Sequence, residues 1–319
     1  MRPSSPGRTL ARVVGWSALA LATAWGATRY VAAGNHFVSV PAALVPFAIV
    51  PAAVGLAVLA ATRQRVGAAV GVIVLAASGA AQLPVYVASS AAGGRPFTVV
   101  TLNMALGMAD APSVVALARR ENADVIALEE MTPEAVTRLR AAGIATDYPY
   151  SFTAPAPEAR GVGIFSRHPF LESGTEHEWE LGAVSASIDL GSGVSSAPRV
   201  FAVHVPAPWP QRSAEWLATL GLIAPRVTPI AQPVLVAGDF NATLDHVPFR
   251  AMLTASRLTD AADEAGAGWL RTYPANRAFP PVIAIDHVLV RGAAASEVHT
   301  VTVAGSDHRA VVATVQLPR

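Results

Sequence analysis

An α/β sandwich standing behind a set of membrane-spanning helices is the fold class this sequence predicts, and three observations predict it. None of the chain's 22 acids lies in the first 95 residues, which are strongly apolar. From Phe97 onward, apolar runs of strand length alternate with capped segments of helix length, separated by Gly, Ser and Pro. These runs repeatedly meet a polar residue at one end: Asn103, Glu130, His204, Asp239 with Asn241, Asp286, and Asp307 with His308. Polar residues at many strand ends are the layout of a pocket at a sheet's edge.

The first portion is read from its charges. The chain has no Lys, so all 23 basic residues are Arg, and seven of them (Arg2, Arg8, Arg12, Arg29, Arg63, Arg65, Arg95) precede Pro96. Residues 97–319 carry the other 16 Arg against 22 acids, a net charge of −6, so two modules in two solvents are implied. Phe37–Thr62 and Val66–Gly94 each run without a charged side chain for long enough to cross a hydrocarbon core of about 30 Å. A third, weaker span lies between Arg12 and Arg29, where only about 24 Å of helix is uncharged and Arg29 and Tyr30 must snorkel to the interface. The expectation is a membrane domain over residues 1–94 with three transmembrane helices at about 13–33, 37–62 and 66–90. Its prolines Pro41, Pro46, Pro51 and Pro84 are tolerable where neighbouring helices re-satisfy the backbone.

With three spans, Arg2, Arg8, Arg12, Arg63 and Arg65 share one side and Arg29 and Arg95 the other. The positive-inside rule then makes this a multi-pass protein of the cell membrane, N-terminus cytoplasmic and C-terminal module extracytoplasmic. A cleaved signal peptide is the rival reading of the first apolar run, disfavoured because later spans would hold the chain in the membrane and no clear Ala-x-Ala stop follows. The absence of Cys excludes disulfides and thiolate metal sites and decides nothing about compartment.

Residues 89–96, Ser-Ser-Ala-Ala-Gly-Gly-Arg-Pro, read as a flexible linker to a domain over residues 97–319. Phe97–Leu102 reads as a strand ending at Asn103. Asp110 caps an amphipathic helix over Ser113–Glu121, and Val125–Leu128 is a second strand ending at Glu129 and Glu130. Thr132, Pro133 and Glu134 start a helix that Gly143 stops. Strand-like runs follow at Gly161–Ser166, Val184–Leu190, Val200–Val205, Val282–Val290 and Ala310–Gln316, with no internal repeat.

The central stretch is Pro233–Leu244, an apolar run that breaks at Gly238-Asp239-Phe240-Asn241. Asp239 and Asn241, two apart, face the same way in an extended segment, and Gly238 lets other backbone or a ligand approach. Alone, the tetrapeptide could be an ordinary Asx turn, and His204 alone could be a hydrogen-bonded core histidine. Asp286, inside an apolar run, is costly to bury without a partner. Together the set carries the inventory of metal-assisted phosphate chemistry.

As an ordered set, Asn103, Asp124-x-x-x-Leu128-x-Glu130, Gly163-Ile164-x-Ser166-Arg167, His204, Gly238-Asp239-Phe240-Asn241, Ile285-Asp286 and Ser306-Asp307-His308 resemble the endonuclease/exonuclease/phosphatase superfamily over essentially all of Phe97–Leu317. That superfamily includes pancreatic deoxyribonuclease, abasic-site endonucleases, neutral sphingomyelinases and inositol polyphosphate phosphatases. The resemblance implies a four-layer α/β sandwich, with two mixed β-sheets face to face, helices outside and the site at one end. It implies a divalent cation, Mg²⁺ or Mn²⁺, held by Glu130 with Asn103 beside it and Asp307 as a further ligand, in keeping with a hard cation's preference for oxygen. It implies that Asp239 orients or deprotonates the attacking water and that Asn241 and His204 hold phosphate oxygens. Asp286 would accept a hydrogen bond from His308, which stabilises developing charge or acts as acid or base. Glu129 departs from the pattern, which commonly has Gln there; its carboxylate would tighten metal binding or face solvent. Tyr148, Tyr150 and Arg160 could line the phosphate site or simply pack, while His36, His168, His177, His246, His287 and His299 are expected to be structural or superficial.

The function expected is therefore a membrane-anchored, divalent-metal-dependent phosphoesterase acting on a phosphate mono- or diester. Nucleases track a polyanion with basic surface, whereas this module is acidic, has no Lys and has no Arg cluster denser than Arg119-Arg120. A lipid-linked or small ester thus ranks above nucleic acid as the substrate. The alternatives are an extracytoplasmic nuclease, marked by preference for DNA, and a non-catalytic membrane binding module, marked by missing site positions.

Overall fold

The computed structural model describes residues 6–32, 34–89, 93–210 and 213–319. The chain opens with four helices: α1 (Pro6–Ala27), α2 (His36–Ala43), α3 (Ile49–Ala61) and α4 (Arg65–Gln82). Close approach between them needs glycine. A Cβ on Gly55 would lie 2.7 Å from Leu19 and 2.9 Å from the Gly15 carbonyl, and one on Gly15 would lie 2.7 Å from Leu59. These pairings run α1 antiparallel to α3 through small residues, the mode by which apolar helices associate where burial from water is not the driving force. At the ends of the same two helices, Arg12 donates to the Thr62 carbonyl at 3.2 Å.

Two helical segments, Pro6–Tyr30 and Arg65–Tyr86, are long and apolar enough to cross a membrane. The middle span expected at 37–62 is not one straight helix: α2 and the segment Val45–Ala61 meet at 70°. Pro41 and Pro46 lack the N–H that would carry the ladder through residue 44, so the helix breaks there. The other two bounds shift as well. The first segment starts at Pro6 and takes in Arg8 and Arg12, and α4 stops at Gln82, ahead of Pro84, short of the expected 90. The linker is tied down at both described ends: Ser89 donates its N–H to the Glu264 carbonyl at 2.9 Å, and Arg95-Pro96 already belong to the first strand. Residues 90–92 lie outside the described residues.

From Arg95 the chain forms β1 (Arg95–Asn103), α5 (Ala111–Arg120), β2 (Val125–Glu129), α6 (Pro133–Ala141), the single turn α7 (Ile144–Asp147), β3 (Tyr150–Ala154), β4 (Val162–Ser166), β5 (Phe170–Thr175), β6 (Ala183–Ile188), β7 (Arg199–His204), α8 (Ser213–Val227), β8 (Val234–Asp239), α9 (Val247–Ser256), β9 (Thr259–Asp260), α10 (Ala261–Glu264), β10 (Asp286–Arg291), β11 (Ala294–Thr302) and β12 (Arg309–Leu317). The caps fall where the sequence predicts them: Asp110 accepts from Ser113 N, Thr132 from Ala135 N, and Gly143 adopts φ 85°. Two six-stranded mixed sheets result, ordered β11-β12-β1-β2-β4-β3 and β5-β6-β7-β8-β10-β9.

The sheets face each other across a core that includes Val99, Ala127, Ile164, Ala202, Leu235, Val288 and Val311. On the outer face of the first sheet, Val100, Leu102 and Ile126 pack on α5 and α6; on the outer face of the second, Phe201, Val203 and Val236 pack on α8 and α9. Four layers follow, as expected, and strands covered on both faces explain why the runs are continuously apolar rather than alternating. The run Val282–Val290 is the exception, since the strand begins only at Asp286. β3, β5, β11, α8 and α9 carry weaker signals: β5 and β11 are half exposed and interrupted by register shifts, and α8 contains Pro225.

Each sheet contains one parallel pair, β1 with β2 and β7 with β8, joined through α5 and α8. In open parallel arrangements the carboxyl ends of such strands border the ligand crevice. Here both pairs end at the same edge of the sandwich, where β10 and β12 begin.

Candidate active site

The strand register delivers the polar residues to that edge. Asn103 pairs with Glu129 across β1 and β2, His204 with Asp239 across β7 and β8, and Asp239 with Asp286 across β8 and β10. Both strand ends break sharply. Glu130 (φ 53°) and Asn241 (φ 47°) occupy the left-handed region that non-glycine residues enter at a cost, a strain that clusters at functional sites. Gly238 is obligatory, because a Cβ there would lie 1.9 Å from the Val203 carbonyl of the neighbouring strand.

From the first sheet, Asn103 Nδ2 donates to Glu130 Oε1 and to Asp239 Oδ2, both at 3.1 Å, joining the two sheets. Glu130 Oε2 accepts the Leu106 N–H at 2.6 Å, and its side chain keeps 16% exposure. From the second sheet, Asp239 Oδ1 accepts the Asn241 N–H at 2.8 Å. His204 donates Nδ1–H to the Ala159 carbonyl at 2.8 Å, which points Nε2 at Glu130 and Asp239, 3.8 and 3.7 Å away. His308 donates Nδ1–H to Asp286 Oδ2 at 2.8 Å, as the resemblance implies, and its Nε2 stands 3.8 Å from Asp239 Oδ2. Asp239, Asp286, His204 and His308 are all buried, whereas Asp307 lines the groove and is half exposed.

Burial sets the electrostatics. Loss of water raises the Asp239 carboxyl to about 6, with the Asp286 charge adding to it. Burial works against a charged His308, but Asp286 outweighs it and holds the imidazole up at about 10. Glu129, expected to tighten metal binding or face solvent, does not face solvent: it is fully buried, accepts from Thr101 Oγ1 at 3.0 Å, and its Oε2 has no hydrogen-bond partner among the described residues. Burial, then the Asp286 charge, pushes it well above the usual carboxylate range. A protonated Glu129 is a neutral isostere of the Gln that the resemblance leads one to expect.

The donor set fits a hard divalent cation. Glu130 and Asp239 converge on one amide nitrogen, neither has an Arg partner among the described residues, and all nearby ligand atoms are O or imidazole N. By spacing alone, Asp239, Asp286 and His308 also form a group whose ligand atoms lie within 4.8 Å of one another, although Asp286 and His308 are engaged with each other.

Two contributors were assigned no role from the sequence, although Ser306 lies in the Ser306-Asp307-His308 motif. Ser306 Oγ donates to the Asn103 carbonyl at 2.7 Å and accepts the His308 N–H at 3.0 Å, pinning β12's start to β1's end. Tyr273 packs its ring 4.8 Å from that of His308. Of the loosely spaced residues, Tyr148 is core packing bonded by Arg167, Tyr150 begins the edge strand β3, and Arg160 follows the residue whose carbonyl holds His204. His287 is buried between Asp260 and the Ala242 carbonyl, and His168 pairs with Asp124.

Two mixed sheets that gather acids, amides and histidines at one shared edge define an α/β-sandwich protein with an oxygen-rich, cation-fitting site. Residues 100–308 match the model of the Endonuclease/Exonuclease/phosphatase family, and the chain belongs to that family. No curated protein matches the sequence. Among solved structures it is similar to the endonuclease/exonuclease/phosphatase of Beutenbergia cavernae (19% identity, 70% of this chain and 72% of that one, TM-score 0.55). It is similar to D. rerio TDP2 solved with a single-strand DNA product (17% identity, 69% and 99%, TM-score 0.55). It is also similar to sphingomyelinase C of Streptomyces griseocarneus (20% identity, 69% and 99%, TM-score 0.50). At these identities the likeness is one of fold.

Proposed function

We propose that the chain is a membrane-anchored, metal-dependent phosphoesterase whose sandwich lies outside the cytoplasm and whose substrate is a lipid-linked or small phosphate ester. The observation that carries the reading is the meeting of Asn103, Glu130, His204, Asp239, Asp286 and His308 at one edge, with Asp239 and His308 held in complementary protonation states. A divalent cation at Glu130 would supply charge for the phosphoryl oxygens. Asp239 takes a proton from water as the water oxygen bonds to phosphorus, the ester P–O bond breaks, and His308, held protonated by Asp286, returns a proton to the departing oxygen. His204, when it carries a proton on Nε2 as well as on Nδ1, and the Asn241 N–H not given to the Val205 carbonyl would hold the non-bridging oxygens.

Glu130→Gln in the full chain should lower Mg²⁺-dependent hydrolysis of an aryl phosphodiester or monoester at least about 1,000-fold and leave the circular dichroism spectrum unaltered. Normal Mg²⁺-dependent turnover in that variant would sink the metal assignment. The location rests on the Arg distribution: Arg8, Arg12, Arg63 and Arg65 lie at the helix ends remote from the sandwich, and Arg29, at the near end, is ion-paired with Asp245. A reporter enzyme active only outside the cytoplasm, fused after Arg319, should be active; activity from a cytoplasmic reporter alone would invert the orientation.

A further inference from the structure

The groove over the catalytic edge, about 490 Å³, is not walled by the sandwich alone. One wall is the site just described; the facing wall is α2 of the helical region, through Val40, Ala43 and Leu44, with the loop at Pro208-Trp209-Pro210 beside it. More than 150 residues of sequence separate α2 from that loop, yet α2 is fastened in place. His246 Nε2–H donates to the Ser39 carbonyl at 2.9 Å, with the ring's orientation set by the Thr243 N–H donating to Nδ1 at 2.8 Å. Trp25 Nε1–H donates to the Pro41 carbonyl at 2.9 Å, tying α2 to α1.

The direction of α2 matters as much as its position. It lies at 70° to the segment that follows it, while α1 and α3 run antiparallel to each other. If α1, α3 and α4 stand along a bilayer normal, α2 lies close to the membrane plane, at the level where Arg29, Tyr30 and Trp25 gather. It carries no acid and no Arg, and apart from His36 the surface it leaves open is apolar: Phe37 is 77% and Val40 40% exposed, with Trp209 of the neighbouring loop at 59%. Apolar surface continuous with a catalytic groove is a binding surface for an apolar ligand part.

We infer that α2 is the acyl-chain wall of the active site, and that the substrate is a membrane phospholipid-type ester whose phosphate reaches Asp239, His308 and Asn241 while its hydrocarbon runs along Val40, Leu44 and Trp209 into the bilayer. This inference rests on the phosphoesterase reading and adds a subsite to it. A polynucleotide is disfavoured as the occupant because α2 offers its phosphates neither Arg nor Lys.

Two measurements on the full chain test it. In the first, the protein is placed in phosphatidylcholine vesicles containing phosphatidic acid or phosphatidylglycerol with a diazirine on one acyl chain, irradiated, and the adducts are mapped by mass spectrometry. Adducts on residues 36–44 and 206–210, retained in Glu130→Gln, are expected; adducts confined to α1, α3 and α4 would overturn the inference whether or not the protein is an enzyme. In the second, kcat/KM is measured for a long-chain phosphate ester in those vesicles and for a soluble aryl ester. Val40→Asp should lower the lipid-to-soluble ratio about ten-fold or more, and Val40→Leu should preserve it. Hydrolysis of the soluble ester with a ratio unmoved by Val40→Asp would refute the acyl-chain wall and leave the phosphoesterase standing. Labelling of α2 with hydrolysis of neither ester would uphold the lipid subsite and refute the phosphoesterase reading.

Discussion

The two sheets bring unlike halves to the same site. The first contributes Asn103 and Glu130: an amide and a carboxylate that keeps contact with solvent and receives only backbone and amide N–H groups. The second contributes His204, Asp239 and Asp286, all buried, while His308, buried too, stands just ahead of β12 in the first sheet and reaches across to Asp286; the Asp239 carboxyl is raised to about 6 and the His308 imidazole to about 10. A carboxylate in contact with solvent suits a cation, whereas burial raises the proton affinity of Asp239 and the Asp286 charge that of His308, so that at neutral pH the first is free to take a proton and the second carries one. Under the proposed mechanism the labour is divided: charge neutralisation rests with Glu130 of the first sheet, while proton transfer spans the two, Asp239 on one and His308 on the other, bridged by Asn103 Nδ2 and by the Asp286–His308 pair.

That division is most easily broken at the pair that spans the sheets. If Asp239 and His308 serve one step, Asp239→Asn, His308→Ala and the double variant should each fall about 1,000-fold or more in kcat and to a similar floor, since groups acting as a unit are non-additive. Losses that multiply in the double variant would separate the two residues mechanistically.

A smaller effect sharpens the comparison. In the proposed mechanism Asp239 acts deprotonated and His308 protonated, so kcat/KM should rise about ten-fold per pH unit up to about 6 and decline again as pH rises through about 10. These limbs belong to the coupled pair rather than to either residue alone. Because Asp286 is what raises His308, Asp286→Asn should move the alkaline limb to lower pH; an alkaline limb that stays in place would contradict the buried pairing.

The sequence disclosed the second half more readily than its surroundings. Gly238, Asp239 and Asn241 were legible because the strand break on Gly-Asp-Phe-Asn, which alone reads as an Asx turn, stands in an ordered set with other strand-end polar residues, and register carries Asp286 and His204 to its sides. Glu130 was legible as a ligand through the resemblance, whereas the place of Glu129 was not. Which one faces the core depends on Glu130 leaving the strand at φ 53°, and a left-handed turn has no hydropathy signature. The α2 wall was hidden for a similar reason. Hydropathy merges residues 37–62 into one span, and the 70° break follows from two prolines whose effect depends on whether neighbouring helices re-satisfy the backbone. Likewise His246, grouped with the structural histidines, is structural in a specific sense: its neutral ring, lowered to about 4 by burial, fastens the helical region to the sandwich.

The central claim joins that divided site to a substrate held near the bilayer, and one panel tests it most directly: kcat/KM of the full chain, with Mg²⁺ or Mn²⁺, on phospholipid and sphingomyelin vesicles, phosphoinositides, aryl phosphates, RNA and plasmid DNA. Preference for a lipid or small phosphate ester over duplex DNA, lost in Glu130→Gln, is the expected result. A clear preference for DNA that disappears in Glu130→Gln would contradict it and make the same edge a nuclease site.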